Sequence, residues 1–288
     1  MCGLVGLYQK EGEALQRIFD GLIQVQHRGQ DAGGICTLQS SKINTHKELG
    51  LISEIFRNID INILKGNIGI GHVRYPTAGT DNVNEAQPFH TTNPINIALA
   101  HNGTLTNSDE IKTKLTKLNF CQFNTNSDSE VLLNLLSYEL FKTNKNEFSN
   151  TDILDVLKRI FNQCRGGYAV VALISGIGLV AFRDPNGIRP LALGKNHNGS
   201  YLLASESSAI TSLGFEVLKD VKPGEAIIIN LDGSVEEKHL IKGMQHTPCL
   251  FEYVYFSRPD STIDSISVHK SRLRMGDYLG EKIATQYS

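Results

Sequence analysis

Apolar positions along this chain recur with two different periods, and the two alternate in blocks. Over 14–26, Leu15, Ile18, Phe19, Leu22 and Val25 fall on one stripe at helical spacing. Helical patterns return over 108–118, 129–141 and 151–163, the last with Ile153, Leu154, Leu157, Ile160 and Phe161 on one face. Ser127 and Glu130 have the spacing of a capping box for the 129–141 helix. Strand-like apolar runs occupy 2–8, 35–38, 43–46, 68–74 and 95–100. After the helices come further strands over 168–174 and 179–182, with Ser175-Gly176 as a hairpin turn, and more near Leu191, Leu202, 226–229 and 235–240. Asp-Pro-Asn-Gly and Pro-Gly turns separate these. The polar stretch 242–248 reads as a linker, 249–256 as a strand and 271–287 as a helix. Strands, then helices, then strands again predict an α+β protein of layered sheets covered by helices, without Rossmann-type alternation.

Composition narrows the function class by exclusion. With 288 residues, 40% hydrophobic and 20% charged, the chain has ample material for a globular core. A net charge of -2 and the lack of a basic face argue against nucleic acid and anionic membranes as partners. The five cysteines are scattered, with no C-x-x-C spacing, which disfavours a disulfide framework and a zinc site. No run approaches the ~20 apolar residues of a membrane span, and the start has no signal-peptide pattern. A cytoplasmic protein with reduced thiols is the expectation.

The candidate chemistry starts at Cys2, directly behind the initiator methionine. With Met1 removed, one residue carries a thiol and a free α-amine, which titrate near ~8.5 and ~8 when unperturbed. The amine can then take the thiol proton, as in an N-terminal threonine nucleophile, and no histidine is required. Read alone, Cys2 is a small apolar residue opening a strand. An attack on an amide carbonyl needs oxyanion donors, and Asn102 with the Gly103 N–H supplies them after strand 95–100. Arg74 can fork onto an α-carboxylate and Asp128 can hold an α-ammonium, the two charges of a free amino acid such as glutamine. Taken singly, these three segments read as an Asn-Gly turn, a surface arginine and a helix-start aspartate. The polar segment 75–85 could form a lid, or simply a surface loop. His72 reads as structural, and Arg28 as a residue that could steady the nucleophile.

Together the segments CGLVG (2–6), HRGQDAGG (27–34), GHVRYPTAG (71–79), EAQPF (85–89), LAHNG (99–103), SDSE (127–130), FRDPNGIRPL (182–191), ASES (204–207) and CLFEYVYFSRPDS (249–261) resemble the class II glutamine amidotransferase domain of the N-terminal nucleophile (Ntn) hydrolases. More narrowly, they resemble the amidophosphoribosyltransferase family. The resemblance implies a four-layer αββα sandwich, with a glutaminase domain over 2–241 and, over 242–288, a linker and the incomplete start of a phosphoribosyltransferase domain. It implies Cys2 as nucleophile, Asn102 and Gly103 as oxyanion hole, and Arg74 and Asp128 as the clamp on L-glutamine. Tyr75 would couple the two sites, and Phe251 and Tyr255 would line an ammonia channel, unless those two aromatics are strand core. Ammonia would pass to phosphoribosyl pyrophosphate, giving phosphoribosylamine at the start of purine biosynthesis.

The phosphoribosyltransferase half, with the Mg2+ that the resemblance implies for it, is absent from these residues, so the expectation is a fragment with no metal or other cofactor of its own. A propeptide is not expected, because Cys2 follows Met1. Cys249 matches an iron–sulfur ligand of some relatives but is expected here as a buried neutral thiol. A homo-oligomer, a tetramer in the family, is a further implication. Two alternatives stand beside this reading: the glutaminase domain of another amidotransferase, serving a sugar phosphate or aspartate, and a non-catalytic glutamine-binding module.

Overall fold

Two antiparallel sheets lie face to face, and the reason begins with strands that are apolar on both sides. The computed structural model describes residues 1–75, 82–242 and 244–287. In chain order it holds β1 (Gly3–Tyr8), α1 (Leu15–Gln24), β2 (Ala32–Gln39), β3 (Lys42–Leu49), α2 (Ile52–Ile55), β4 (Ile68–Arg74), β5 (Phe89–Thr91) and β6 (Ile97–Leu105). Then follow α3 (Ser108–Lys117), α4 (Asp128–Phe141), α5 (Asn150–Gln163), β7 (Gly166–Ile174), β8 (Gly178–Arg183), β9 (Ala192–Lys195), β10 (Tyr201–Ala204) and α6 (Ser207–Ser212). The rest is β11 (Glu216–Asp220), β12 (Glu225–Asn230), β13 (Val235–His239), β14 (Thr262–Ile263), β15 (Ile266–Ser267) and α7 (Val268–Tyr287).

One sheet has the order β11-β9-β10-β1-β4-β2-β3, the other β13-β12-β8-β7-β6-β5. Every residue of β1, β4 and β8 is buried, because one face meets the opposing sheet and the other meets helices. Between the sheets, Leu4, Ile70, Val171 and Leu179 interdigitate with the small Ala98, Ala100, Ala169 and Ala181. Outside the first sheet, Ile18 and Leu22 of α1 pack on it; outside the second, Leu132, Leu136 and Ile160 of α4 and α5 do the same. Each such side chain removed from water contributes about 1.5–3 kcal/mol. The result is the four-layer αββα sandwich. Close approach of α1 to β4 depends on Gly71, where an added Cβ would meet Ile18 Cγ2 at 2.7 Å and Leu22 Cδ1 at 2.8 Å.

Four local expectations change. The segment 249–256 is not a strand: Glu252–Phe256 forms a wide helical turn. Its alternating aromatics suggest period two, yet the buried positions are Glu252, Tyr253 and Ser257. Phe251 and Tyr255 are 61% and 77% exposed, so neither is strand core. Ser127 caps α4 through the Ser129 N–H, but no capping box forms. Glu130 turns instead to the backbone N–H groups of Asn124 and Thr125, at 2.9 and 2.8 Å. β6 runs five residues past Ala100, carrying His101, Asn102 and Gly103 into the sheet opposite Val170, Ala169 and Tyr168. Strands β5 and β11 and helix α6 lack a clear hydropathy signal in so few residues. Cys249 is half-buried rather than buried.

Candidate functional site

The register of the central strands decides where the N-terminus emerges. Gly3 pairs with Val73 and Val5 with Ala204, so Cys2 comes out beside Arg74 at the end of β4. Nearby, β6 brings Gly103, and the N-terminus of α4 brings Asp128. Cys2, Arg74, Tyr75, Glu85, Gly103 and Asp128 are among the residues around one cleft of about 300 Å³, at the small end of the range for ligand pockets. A wider cleft of about 580 Å³, bordered by Lys47, His90, Cys121 and Asn134, shares none of these groups. Burial pushes its Cys121 thiol up, away from nucleophilic character.

Arg28 holds Cys2 through its backbone: the guanidinium Nε donates to the Cys2 carbonyl oxygen at 3.0 Å. Burial pushes the Cys2 thiol up; the Tyr75 backbone N–H, the terminal ammonium and Arg28 pull the other way, and Asp128 adds to the rise. That ammonium belongs to Met1, still in place ahead of Cys2, and it is itself lowered, chiefly by burial.

Asn102 is fully buried, and neither its Oδ1 nor its Nδ2 has a hydrogen-bond partner among the described residues. An amide so placed costs about 1–3 kcal/mol. Asn102 is not itself among the residues lining the cleft, but its neighbours His101 and Gly103 are. Gly103 has φ +149, and a Cβ there would run into the Gly167 carbonyl oxygen, so the position excludes any side chain.

The two charged groups are set differently. Asp128 Oδ2 accepts from the Leu105 N–H at 2.9 Å, and Oδ1 lies 3.7 Å from His101 Nδ1. This ties the carboxylate to β6 with one edge toward the cleft. Arg74 is buried and forms an ion pair with Glu85 through Nη2. A ligand carboxylate at Arg74 therefore shares or displaces Glu85, a partner the sequence reading did not assign. Gln87 was also missed. Its amide donates to the His101 carbonyl at 3.2 Å and accepts from the His101 N–H at 2.7 Å, pinning the strand that carries Asn102. The only signal for both lay in the EAQPF segment. His72 is buried without side-chain partners, and burial lowers it to about 3, so it stays neutral and structural. Most of the expected lid falls on residues 76–81, outside the described residues.

Among the described residues, no group of three or more His, Cys, Asp or Glu side chains could hold a metal ion. Among the same described residues, no helix is long and apolar enough to cross a membrane.

Comparison with known proteins fits this geometry. The glutamine amidotransferase domain family matches residues 72–212. The chain is similar to the amidophosphoribosyltransferase of Pasteurella multocida, 48% identical, with 100% of this chain and 58% of that protein covered. Among solved structures it resembles one described as the allosteric regulatory enzyme of purine biosynthesis, with TM-score 0.86 and 36% identity, covering 98% of this chain and 58% of that one. It also resembles the glutamine phosphoribosylpyrophosphate amidotransferase of B. subtilis complexed with ADP and GMP, with TM-score 0.81 and 37% identity, covering 93% and 55%. The chain thus spans somewhat more than half the length of these relatives. Identity near one half along the whole of this chain, together with a shared fold, places it in the amidophosphoribosyltransferase family, as a chain carrying the family's glutamine amidotransferase domain.

Proposed function

We propose that the chain binds L-glutamine in the Cys2 cleft and hydrolyses its side-chain amide. Arg74 takes the α-carboxylate and Asp128 the α-ammonium, which directs the amide toward Cys2. With Met1 removed, the α-amine of Cys2 accepts the thiol proton as Sγ attacks the amide carbon. The oxyanion is met by the Asn102 side-chain amide and the Gly103 N–H. Collapse breaks the C–N bond, the ammonium returns its proton to the departing ammonia, and a γ-glutamyl thioester remains. Water, deprotonated by the same amine, then releases glutamate. The observation that carries this reading is the buried, unpartnered amide of Asn102, held between His101 and Gly103, which line the same cleft as Cys2.

The acceptor of the ammonia, on this reading, is phosphoribosyl pyrophosphate, supported by the names of the relatives above. The glutaminase domain ends near residue 241, after β13, and 242–288 leads toward a phosphoribosyltransferase part. Exposed Leu250, Phe251, Tyr255, Leu273, Tyr278 and Leu279 support the view that this end packs against further protein. Phe251 and Tyr255 there are available to an ammonia path, with Tyr75 as its link to the cleft. The Mg2+ of such a part is assigned to no residue here. The cell compartment is the cytoplasm and the assembly a homo-oligomer, on the same analogy. The test is Cys2→Ala: glutamate release from glutamine should vanish while the melting temperature stays put. Undiminished glutamate release would remove Cys2 from the chemistry.

A further inference from the structure

We infer that Glu252 is a positioning residue for the nucleophile, acting through Arg28, so that the segment 249–261 is a working part of the Cys2 site as well as a connection beyond it. The inference rests on the glutaminase reading above. Arg28 is almost wholly buried, and its donors are divided among three parts of the chain. Nε donates to the Cys2 carbonyl at 3.0 Å, Nη1 to Glu206 Oε1 at 2.7 Å and Nη2 to Glu252 Oε1 at 2.8 Å. Two carboxylates thus fix the plane of the fork whose third edge fixes the nucleophile's backbone.

Glu206 holds only the Nη1 edge of the fork, so the Nη2 edge depends on Glu252. His27 Nε2 lies 2.8 Å from Glu206, the Arg258 N–H donates to it at 2.9 Å and the Ser261 hydroxyl at 3.0 Å. Glu252 is oriented by the Ser257 hydroxyl, which donates to Oε2 at 2.9 Å. Its carboxylate also lies 3.9 Å from Arg189 Nη1, and Arg189 Nε and Nη1 have no hydrogen-bond partner among the described residues. The charged groups around the amino terminus are therefore Arg28 and Arg189 with Glu252 against both, Glu206 on Arg28 with His27 and Arg258 bound to it, and Asp128 in the lining of the same cleft as Cys2. With Met1 in place, Arg28 and Arg189 lower the Met1 ammonium and Glu252 raises it. Glu252 thus positions the nucleophile through Arg28 and supplies negative charge at that end of the chain.

The experiment uses the full chain with Met1 removal verified by mass. Glutamate release is measured from about pH 5 to pH 9 for Glu252→Ala and Glu252→Gln, with thermal melts alongside. Glu252→Ala should lower kcat roughly tenfold or more with the glutamine KM changed less than about twofold, as misplacing a reacting group does. Glu252→Gln keeps the acceptor for Arg28 but loses the charge. It should recover most of kcat and move the acid limb of kcat/KM to lower pH, since one of the negative charges facing Arg28 and Arg189 is then lost. Wild-type kcat and pH profile in both variants, or a lower melting temperature as the only change, would overturn the inference. If Glu252→Ala does not fold, an unmoved acid limb in Glu252→Gln does the same. Wild-type protein that neither turns over glutamine nor reacts with a glutamine-analogue electrophile sinks the glutaminase reading instead. The rate of Cys2 alkylation by iodoacetamide then decides on Glu252, an unchanged rate in Glu252→Gln counting against it.

Discussion

Arg28 Nε and the carbonyl oxygen of Cys2, 26 residues apart in sequence, are joined by a 3.0 Å hydrogen bond inside a fully buried ion cluster. Burial alone would lower the guanidinium's pKa, but Glu252 and Glu206 more than offset that and raise it. The charge is permanent, and so is the restraint on Cys2. Replacing Arg28 by Ala leaves two buried carboxylates without their partner, a change that costs about 3–5 kcal/mol. Chemical denaturation should register that loss. Arg28→Lys should keep most of the stability but lower kcat, because an ammonium cannot reach three acceptors in one plane. A lysine variant with full kcat would show that the fork is not needed.

Asn102 separates stability from activity in the opposite sense. Its amide has no partner to lose. Asn102→Ala should therefore leave the melting temperature within a few degrees of wild type. Removal of an oxyanion donor should lower kcat by about 10²–10³. A variant with wild-type kcat would exclude Asn102 from the oxyanion site.

Gly103 behaves otherwise. Its positive φ and the Gly167 carbonyl leave no room for a methyl group. Gly103→Ala should cost more than about 2 kcal/mol of stability through backbone strain and displacement of β7. A urea midpoint equal to wild type would contradict the close packing of β6 on β7 described here.

The reach of sequence reading follows from distance along the chain. The two sheets announce themselves because apolar runs such as CGLVG and IGIGHV are local, and the amino-terminal thiol is visible at once. Hydropathy ends the oxyanion strand at Ala100, because it cannot show that His101 and Asn102 are polar and yet buried. Arg28's partners stand 178 and 224 residues away, and Glu252 sits inside an aromatic alternation that imitates a strand. Nothing local reveals such a cluster. Asp128 was legible as a charge at a helix start, but its tie to Leu105 was not. The pairing of Arg74 with Glu85 likewise needs the fold.

His72 should give stability a pH dependence of defined sign. Burial lowers the imidazole to about 3, while an unfolded histidine titrates near ~6.5. Between those values the unfolded chain binds the proton first, so stability is full above ~6.5 and falls as pH drops toward about 3. Glu206, held down to about 2 by His27 and Arg28 against the effect of burial, loses its contribution only below the ordinary carboxylate range. Comparison of pH 7 with pH 5 therefore leaves Glu206 out, and the difference between wild type and a His72 variant separates His72 from His90 and His101, which burial also lowers. His72→Leu should flatten that part of the urea-midpoint profile, and an unchanged slope would mean that His72 is already protonated in the fold.

The most direct test of the account is intact mass and peptide mapping after exposure to a glutamine-analogue electrophile. The account predicts a chain lacking Met1, with one adduct on Cys2 that excess glutamine suppresses. Modification spread over Cys36, Cys121, Cys164 and Cys249, or an adduct at Cys2 that glutamine does not suppress, would contradict it.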